Sequence, residues 1–174
     1  MLVLTISRVE PNKNPSDFIK IAKLVNQKIN AKFIWVGEGS LLEFCKRKTE
    51  KLDFIQFIGL VSEDIKEELL SKCDVYISTS TVEGFGVTLG EAFIHEKPVI
   101  AYQLPVFKEI YLDYPIYIEI KRVNEFARKI IEVLRNRDYY VNRAREAKRF
   151  ILSNYSIDRV VSRVEMALQD VIKG

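Results

Sequence analysis

Short runs of apolar residues, rich in β-branched and aromatic side chains, alternate along the first two thirds of the chain with longer segments of helical spacing. Several short runs are apolar at every position rather than at every second one, which is typical of parallel strands covered on both faces. The first helical segment opens with Asn14 as N-cap and Pro15 at the first helical position. Six strands are predicted, at residues 2–7, 32–36, 54–58, 74–78, 97–102 and 116–120.

This alternation of strand and helix predicts an α/β fold, a doubly wound parallel sheet of the Rossmann-like kind. From residue 124 onward the pattern is helical, with Ser156 as N-cap of the last helix. The prediction is therefore one domain over residues 1–174, with a βαβ core at 1–120 and a helical tail at 121–174. His95, just before a strand, is interpreted as closing a helix rather than as a general base.

Composition narrows the class of protein. With 174 residues, 48% hydrophobic and 29% charged, the chain is predicted to be globular, and its net charge of +3 is too small to indicate nucleic acid binding. Two cysteines and one histidine cannot build a zinc site or a disulfide framework, so no metal cofactor is expected. The start of the chain lacks a leader pattern, and no apolar run reaches membrane-spanning length, so a cytoplasmic location is predicted.

Ligands of doubly wound sheets bind at the carboxyl ends of the strands, so the loops after the strands are where chemistry is expected. Arg8 and Lys13 follow the first strand and could converge on one anion, or both could be solvated side chains of a polar turn. Gly37 and Gly39 follow the second strand, where they could admit a ligand to the backbone or simply form a turn.

The stretch "STSTVEGFGVTLGEAF" after the fourth strand is the most informative. Gly84 and Gly86 permit a tight turn, and a helix starting near Val87 would leave the amides of residues 87–89 free to bind phosphate. Two carboxylates beside a phosphate repel it unless they bind neutral hydroxyls, so Glu83 and Glu91 favour a sugar nucleotide. The alternative is a turn residue at Glu83 and a surface side chain at Glu91.

Five segments, taken in order, resemble the carboxyl-terminal, donor-binding half of family 4 glycosyltransferases with the GT-B fold. They are "SRVEPNKN", "VGEGS", "FIGLVSEDIKEELLSKCDVYIST", "STVEGFGVTLGEAF" and "KPVIAY". The resemblance covers residues 1–120. It implies a retaining transferase that moves a hexose, with mannose as the expected sugar, from a nucleoside-diphosphate sugar to a glycan or lipid-linked acceptor, and that needs no metal.

The resemblance also implies a role for each site residue. Arg8 and Lys13 match the pair that holds the donor diphosphate, Glu91 the carboxylate that binds the ribose hydroxyls, and Glu83 the acidic residue beside the transferred sugar. The remaining matches line the nucleoside or cradle the sugar and phosphate: Gly37, Gly39, Gly59, Leu60, Val61, Gly84, Phe85, Gly86, Val87, Thr88 and Leu89.

The chain departs from the family pattern at three places. Thr79 stands where proline is usual, Glu96 where glycine is usual, and "LPVFKE" lacks the paired glycines often found before the residue matching Glu109. The acceptor-binding amino-terminal half of the family is also expected to be absent from this chain. Two alternatives therefore stay open: a non-catalytic sugar-nucleotide-binding module or split-transferase subunit, and a regulatory domain without a sugar ligand.

Residues 121–149 hold ten Lys or Arg against four acidic residues. One interpretation is the solvated face of amphipathic helices. The other is a peripheral contact with anionic membrane lipid, where lipid-linked acceptors would lie.

Overall fold

The computed structural model describes residues 1–156 and, beyond them, residues 159, 161, 162, 164–166, 168 and 169. About half of the predicted final helix, which would begin after Ser156, lies outside the described residues. Within the described chain, the strands are β1 (Leu2–Ile6), β2 (Lys32–Val36), β3 (Ile55–Gly59), β4 (Val75–Ser78), β5 (Val99–Tyr102) and β6 (Ile116–Ile118). They form one parallel sheet in the order β3-β2-β1-β4-β5-β6. This order reverses direction between β1 and β4, as in doubly wound folds, so the predicted fold class is confirmed.

The helices are α1 (Pro15–Asn26), α2 (Leu42–Thr49), α3 (Glu63–Lys72), α4 (Val87–Ile94), α5 (Pro105–Tyr111), α6 (Val123–Arg135) and α7 (Arg137–Tyr155), with a short 3-10 turn at Pro11–Lys13.

The sheet separates two apolar layers because successive strand residues point to opposite faces. Val3 lies in the same apolar layer as buried residues of α1, α2 and α6, whereas its neighbour Leu4 lies in the layer with those of α3, α4, α5 and α7. Phe126 of α6 and Ala147 of α7 are fully buried, one in each layer. The first two helices after residue 120 are thus part of the core.

Helix boundaries match the local signals. Pro15 is the first residue of α1 after Asn14, α4 begins at Val87, and His95 caps the end of α4. The fifth and sixth predicted strands are longer than the observed ones, because residues at their ends form the hydrogen bonds of a helix end or a turn instead. The fifth begins at Val99 rather than at residue 97, because the Lys97 amide donates to Ala92 of α4 and the next residue is a proline.

The sixth predicted strand also ends early, at Ile118 rather than at residue 120. The Arg122 amide donates to the Glu119 carbonyl, and Lys121 has a φ of 69°, so the chain is already turning there. No helix in the described part of the chain is both long and apolar enough to cross a membrane.

Candidate functional site

A cavity of about 560 Å³ lies at the carboxyl ends of β1, β2 and β3, beside the first turn of α4. We call it the strand-end cavity. Its position is where doubly wound sheets bind their ligands. It is lined by Ile6, Ser7, Arg8, Val36, Gly37, Glu38, Gly39, Leu60, Val61, Glu63, Lys66 and Thr88.

The wall after β2 is formed by close approach of two loops. Gly39 has a φ of +157°, and a β-carbon there would lie 2.5 Å from the Val9 carbonyl oxygen. The Val9 amide donates to the Glu38 carbonyl at 2.8 Å, which ties the loop after β1 to the loop after β2. This glycine is therefore needed to bring two backbone segments together.

Arg8 stands at the edge of the cavity with its side chain 77% exposed, and its guanidinium donates to Glu10 at 3.1 Å. Glu10 in turn accepts from the Ser40 amide at 3.0 Å and from its hydroxyl at 2.6 Å. These hydrogen bonds from Ser40, together with Arg8, lower the pKa of Glu10. The ionised Glu10 thus orients Arg8 and leaves the guanidinium accessible to an anion.

Lys13 forms a different ion pair. Its Nζ lies 2.5 Å from Oε1 of Glu83 and 3.1 Å from the Val82 carbonyl oxygen, and the two charged side chains are only 14% and 18% exposed. Arg8 and Lys13 therefore bind different carboxylates here, Glu10 and Glu83. Neither Lys13 nor Glu83 is among the lining residues of the strand-end cavity.

The loop that carries Glu83 is bonded to the turn that carries Lys13. The Thr79 hydroxyl donates to the Lys13 carbonyl at 2.7 Å, and the Asn14 side-chain amide donates to the Thr79 carbonyl at 3.2 Å. The Thr81 amide adds a bond to the Asn12 carbonyl at 2.8 Å. A proline at position 79 would have no hydroxyl. Threonine at this position, a departure from the family pattern, therefore adds the bond to the Lys13 carbonyl.

The turn before α4 is shaped by Gly86, which has a φ of 75°. Tyr111 donates its hydroxyl to the Gly86 carbonyl at 2.9 Å. The Leu89 amide also donates to that carbonyl, at 2.9 Å, so the expectation that this amide is free is wrong. Val87 and Thr88 hold the first two amides of the helix, which have no carbonyl one turn earlier within the helix to accept from them.

Tyr76 connects this turn to the sheet. Its buried hydroxyl lies 2.7 Å from the Thr88 hydroxyl, donates to the Ile6 carbonyl at 3.1 Å and accepts from the Ile6 amide at 3.3 Å. Burial raises the pKa of Tyr76, so the hydroxyl stays protonated. The end of β1 and the start of α4 are thus held together through one side chain, which places Thr88 in the cavity wall.

Glu91, one turn further along α4, binds a residue that the sequence analysis did not select. Lys66 of α3 lines the strand-end cavity and lies 3.0 Å from Oε1 of Glu91 and 2.5 Å from Oε1 of Glu63. Lys66 sits in the first turns of the helix that follows β3. The start of a helix that follows a parallel strand lies near the carboxyl edge of the sheet. The position of Lys66 in the sequence could therefore have identified it as a candidate site residue.

The strand-end cavity brings together six of the predicted site residues: Arg8, Gly37, Gly39, Leu60, Val61 and Thr88. Gly59 lies behind them, where its carbonyl accepts from the Gly37 amide at 2.8 Å. Phe85, Val87 and Glu91 line a second cavity of about 380 Å³ between α4 and α7, which we call the helix cavity. Gly84, Gly86 and Leu89 line neither cavity.

Two further observations concern charge. No group of three or more His, Cys, Asp or Glu side chains is arranged to hold a metal ion in the described residues. Several cations of residues 121–149, which we call the basic region, are paired with carboxylates of other elements: Arg137 with Asp74, and both Arg145 and Lys148 with Glu96. Glu96, which replaces the usual glycine, has a φ of +58° and follows α4, and its two ion pairs join this end of α4 to α7.

The parallel sheet and the cavity at its carboxyl edge define a Rossmann-like domain of the kind that builds GT-B glycosyltransferases. A family model described as "Glycosyl transferases group 1" matches residues 1–150, and the chain belongs to this family.

Individual relatives agree with this assignment. The chain is 27% identical over 163 residues to the poly(ribitol-phosphate) alpha-N-acetylglucosaminyltransferase of Staphylococcus aureus, a match that covers 91% of this chain and 33% of that protein. It is 25% identical over 180 residues to the N-acetyl-alpha-D-glucosaminyl L-malate synthase of Bacillus anthracis, covering 99% of this chain and 46% of that protein.

Among solved structures, a TarM variant of S. aureus in complex with fondaparinux, alpha-GlcNAc-glycerol and UDP superposes with a TM-score of 0.84 at 26% identity. That match covers 92% of this chain and 34% of the other. The chain thus spans about a third to a half of the length of these three relatives.

Proposed function

We propose that this chain is the donor-binding domain of a retaining glycosyltransferase, and that the strand-end cavity holds the nucleoside diphosphate part of a sugar nucleotide. One observation carries the proposal. The cavity has the exposed Arg8 guanidinium on one side and Thr88, in the first turn of α4, on the other. A guanidinium and a helix N-terminus are both groups that stabilise phosphate.

The remaining roles follow the family resemblance. Leu60 and Val61 would line the nucleoside, Glu91 would accept hydrogen bonds from the ribose, and Glu83 would lie beside the sugar. Lys13 would reach the diphosphate by exchanging its partner Glu83 for a phosphate oxygen. This exchange would break an ion pair whose two side chains are only 14% and 18% exposed.

In the proposed reaction, the bond between the sugar anomeric carbon and the diphosphate oxygen breaks, and the acceptor oxygen forms a bond to that carbon on the same face. The leaving diphosphate accepts the proton of the acceptor hydroxyl. No protein nucleophile is required. The role of this chain in the reaction is to stabilise the charge that develops on the diphosphate, through Arg8, Lys13 and the first amides of α4.

The sugar and the base of the donor are the next part of the proposal. Mannose remains a prediction from the resemblance, whereas the two curated relatives reported above are named for N-acetylglucosaminyl groups. TarM was crystallised with UDP, which favours uridine over guanosine as the base. We therefore expect UDP-N-acetylglucosamine to bind more tightly than GDP-mannose, and the two should be compared in one assay.

We expect the acceptor to be bound by a second domain or subunit that supplies the other wall of the cleft. A sugar acceptor needs such a wall to exclude water from the reacting carbon. The purified chain alone is therefore expected to bind donor but to transfer no sugar. Contact of the basic region with anionic lipid and a cytoplasmic location remain predictions.

The test is titration calorimetry of the chain with UDP and UDP-N-acetylglucosamine, with and without a chelator. Arg8→Ala is expected to weaken UDP binding about 10- to 150-fold, equivalent to one lost charge-assisted contact of about 1.5 to 3 kcal/mol. Arg122→Ala is the matched control, because Arg122 is an exposed arginine paired with Glu119, away from the cavity. Absence of nucleotide binding, or equal affinity of the two variants, would contradict the proposal.

A further inference from the structure

Lys66 joins two helices beside the strand-end cavity. Its ammonium group contacts Glu63 on its own helix, α3, and Glu91 on α4. The Glu63 side chain is 73% exposed, whereas those of Lys66 and Glu91 are only 17% and 30% exposed. The contact with Glu63 is a neighbour pair within one helix, so the contact with Glu91 is the one that fixes the geometry between elements.

The electrostatics favour a charged lysine at this position. Burial by itself lowers the pKa of Lys66, but its hydrogen bonds and charge interactions with Glu63 and Glu91 outweigh burial and raise it. The ammonium is thus a permanent cation at neutral pH. A cation 3.0 Å from one carboxylate oxygen fixes the rotation of that carboxylate about its last side-chain bond.

When Lys66 holds Oε1, the second carboxylate oxygen of Glu91, Oε2, is still without a hydrogen-bond donor among the described residues. Oε2 of Glu91 is buried and, within the described part of the chain, accepts no hydrogen bond. A buried acceptor without a protein partner is destabilising, and either a water molecule or a ligand can supply the missing donor. Hydroxyl groups are neutral donors that suit a carboxylate oxygen.

We propose that Lys66 is a positioning residue for donor recognition: it holds Oε1 of Glu91, so that Oε2 is presented to a hydroxyl of the bound nucleotide. This inference rests on the proposed function, in which Glu91 accepts from the ribose. Lys66 then acts through Glu91 and makes no hydrogen bond to the ligand itself.

The experiment compares UDP with 2′-deoxy-UDP, which lacks one ribose hydroxyl, by calorimetry on the whole chain. The wild type is expected to bind UDP about 10- to 100-fold more tightly than 2′-deoxy-UDP, as for a hydrogen bond to a charged acceptor. Lys66→Met keeps the length of the side chain but removes the cation. It is expected to reduce this preference to about 3-fold or less, whereas Lys66→Arg should restore part of it.

Lys72→Met is the matched control, because Lys72 lies on the same helix and pairs with Glu68 but does not line the cavity. It should keep the full preference for UDP. A general loss of stability would weaken the binding of UDP and of 2′-deoxy-UDP alike. The ratio of the two affinities therefore reports only on recognition of the ribose hydroxyl. Circular dichroism establishes that each variant is folded.

A further comparison separates positioning from direct contact. In a Glu91→Gln background, Lys66→Met should have no additional effect on the ratio. If Lys66→Met leaves the preference for UDP intact, whether or not it weakens both ligands equally, Lys66 does not position Glu91, and the inference is wrong. If Glu91→Gln keeps the preference for UDP over 2′-deoxy-UDP, Glu91 does not bind the ribose hydroxyl. The proposed roles of Glu91 and of Lys66 are then both wrong.

Discussion

Replacing Gly86 by alanine tests how the start of α4 is built. Gly86 has a φ of 75°, in the left-handed region, and a β-carbon there would overlap with Cε1 of Phe107 and come within 3.3 Å of Cδ1 and Cζ. Gly84, two residues earlier, is a matched control. Its φ is not positive, and a β-carbon there would meet no atom within 4 Å.

The magnitude follows from two separate penalties. A left-handed backbone costs a residue with a β-carbon about 1–2 kcal/mol. Forcing a methyl group against the buried ring of Phe107 adds about 1–3 kcal/mol. Gly86→Ala should therefore lower the free energy of unfolding by about 2–5 kcal/mol, which for a chain of this length lowers Tm by roughly 4–20 °C.

Gly84→Ala should leave stability unchanged or raise it by about 0.4–1 kcal/mol, because the alanine restricts only the unfolded chain. Urea unfolding followed by circular dichroism measures both variants. Phe107→Leu in the Gly86→Ala background should recover part of the loss, since the smaller side chain relieves the overlap but not the backbone strain. Equal stability of Gly86→Ala and Gly84→Ala would refute this account of the turn.

Three further predictions concern single side chains. Tyr76→Phe removes the hydroxyl that joins β1 to α4 and should lower the free energy of unfolding by about 1–3 kcal/mol in urea titrations; a stability equal to wild type would contradict this bridging role. Hydrogen bonds from Arg145 and Lys148 lower the pKa of Glu96, so the stabilisation from these ion pairs is fully present above the ordinary pKa of a glutamate and is lost as the pH falls through the lower pKa of the folded chain. The stability gap between wild type and Glu96→Gln, measured by urea unfolding from neutral to acidic pH, should close over that interval; a gap independent of pH would contradict it. Burial raises the pKa of the Cys73 thiol to about 12, so iodoacetamide at pH 8 should modify it only after unfolding, as measured by mass spectrometry, and rapid labelling of the native chain would contradict its burial.

Much of the fold could be predicted because its signals are local. A proline after Asn14 starts α1, and the glycine turn before Val87 starts α4, within the few residues that the pattern itself spans. Fully apolar runs marked the parallel strands. These features depend on neighbours in the sequence, so inspection of the sequence was sufficient to place them.

The pairing of charges could not be predicted in this way. Lys13 and Glu83 are 70 residues apart, and Lys66 and Glu91 are 25 apart, so their contacts depend on which strand ends lie side by side. Glu96 shows the same limit. In the sequence it was only a departure from the family pattern, and its two basic partners on α7 became visible only in the folded chain.

These pairings also answer the electrostatic objection raised by the sequence, that two glutamates beside a phosphate site would repel the ligand. Each carboxylate has a lysine partner from a different element, Glu83 with Lys13 and Glu91 with Lys66. Opposite charges about 3 Å apart act on a more distant phosphate largely as a dipole, whose field falls off faster than that of a single charge. Until Lys13 exchanges Glu83 for a phosphate oxygen, the net attraction for an anion is left to Arg8 and the start of α4, while the two glutamates keep oxygens with which to recognise hydroxyls. A site arranged in this way favours a ligand that carries both phosphate and sugar over one that carries phosphate alone.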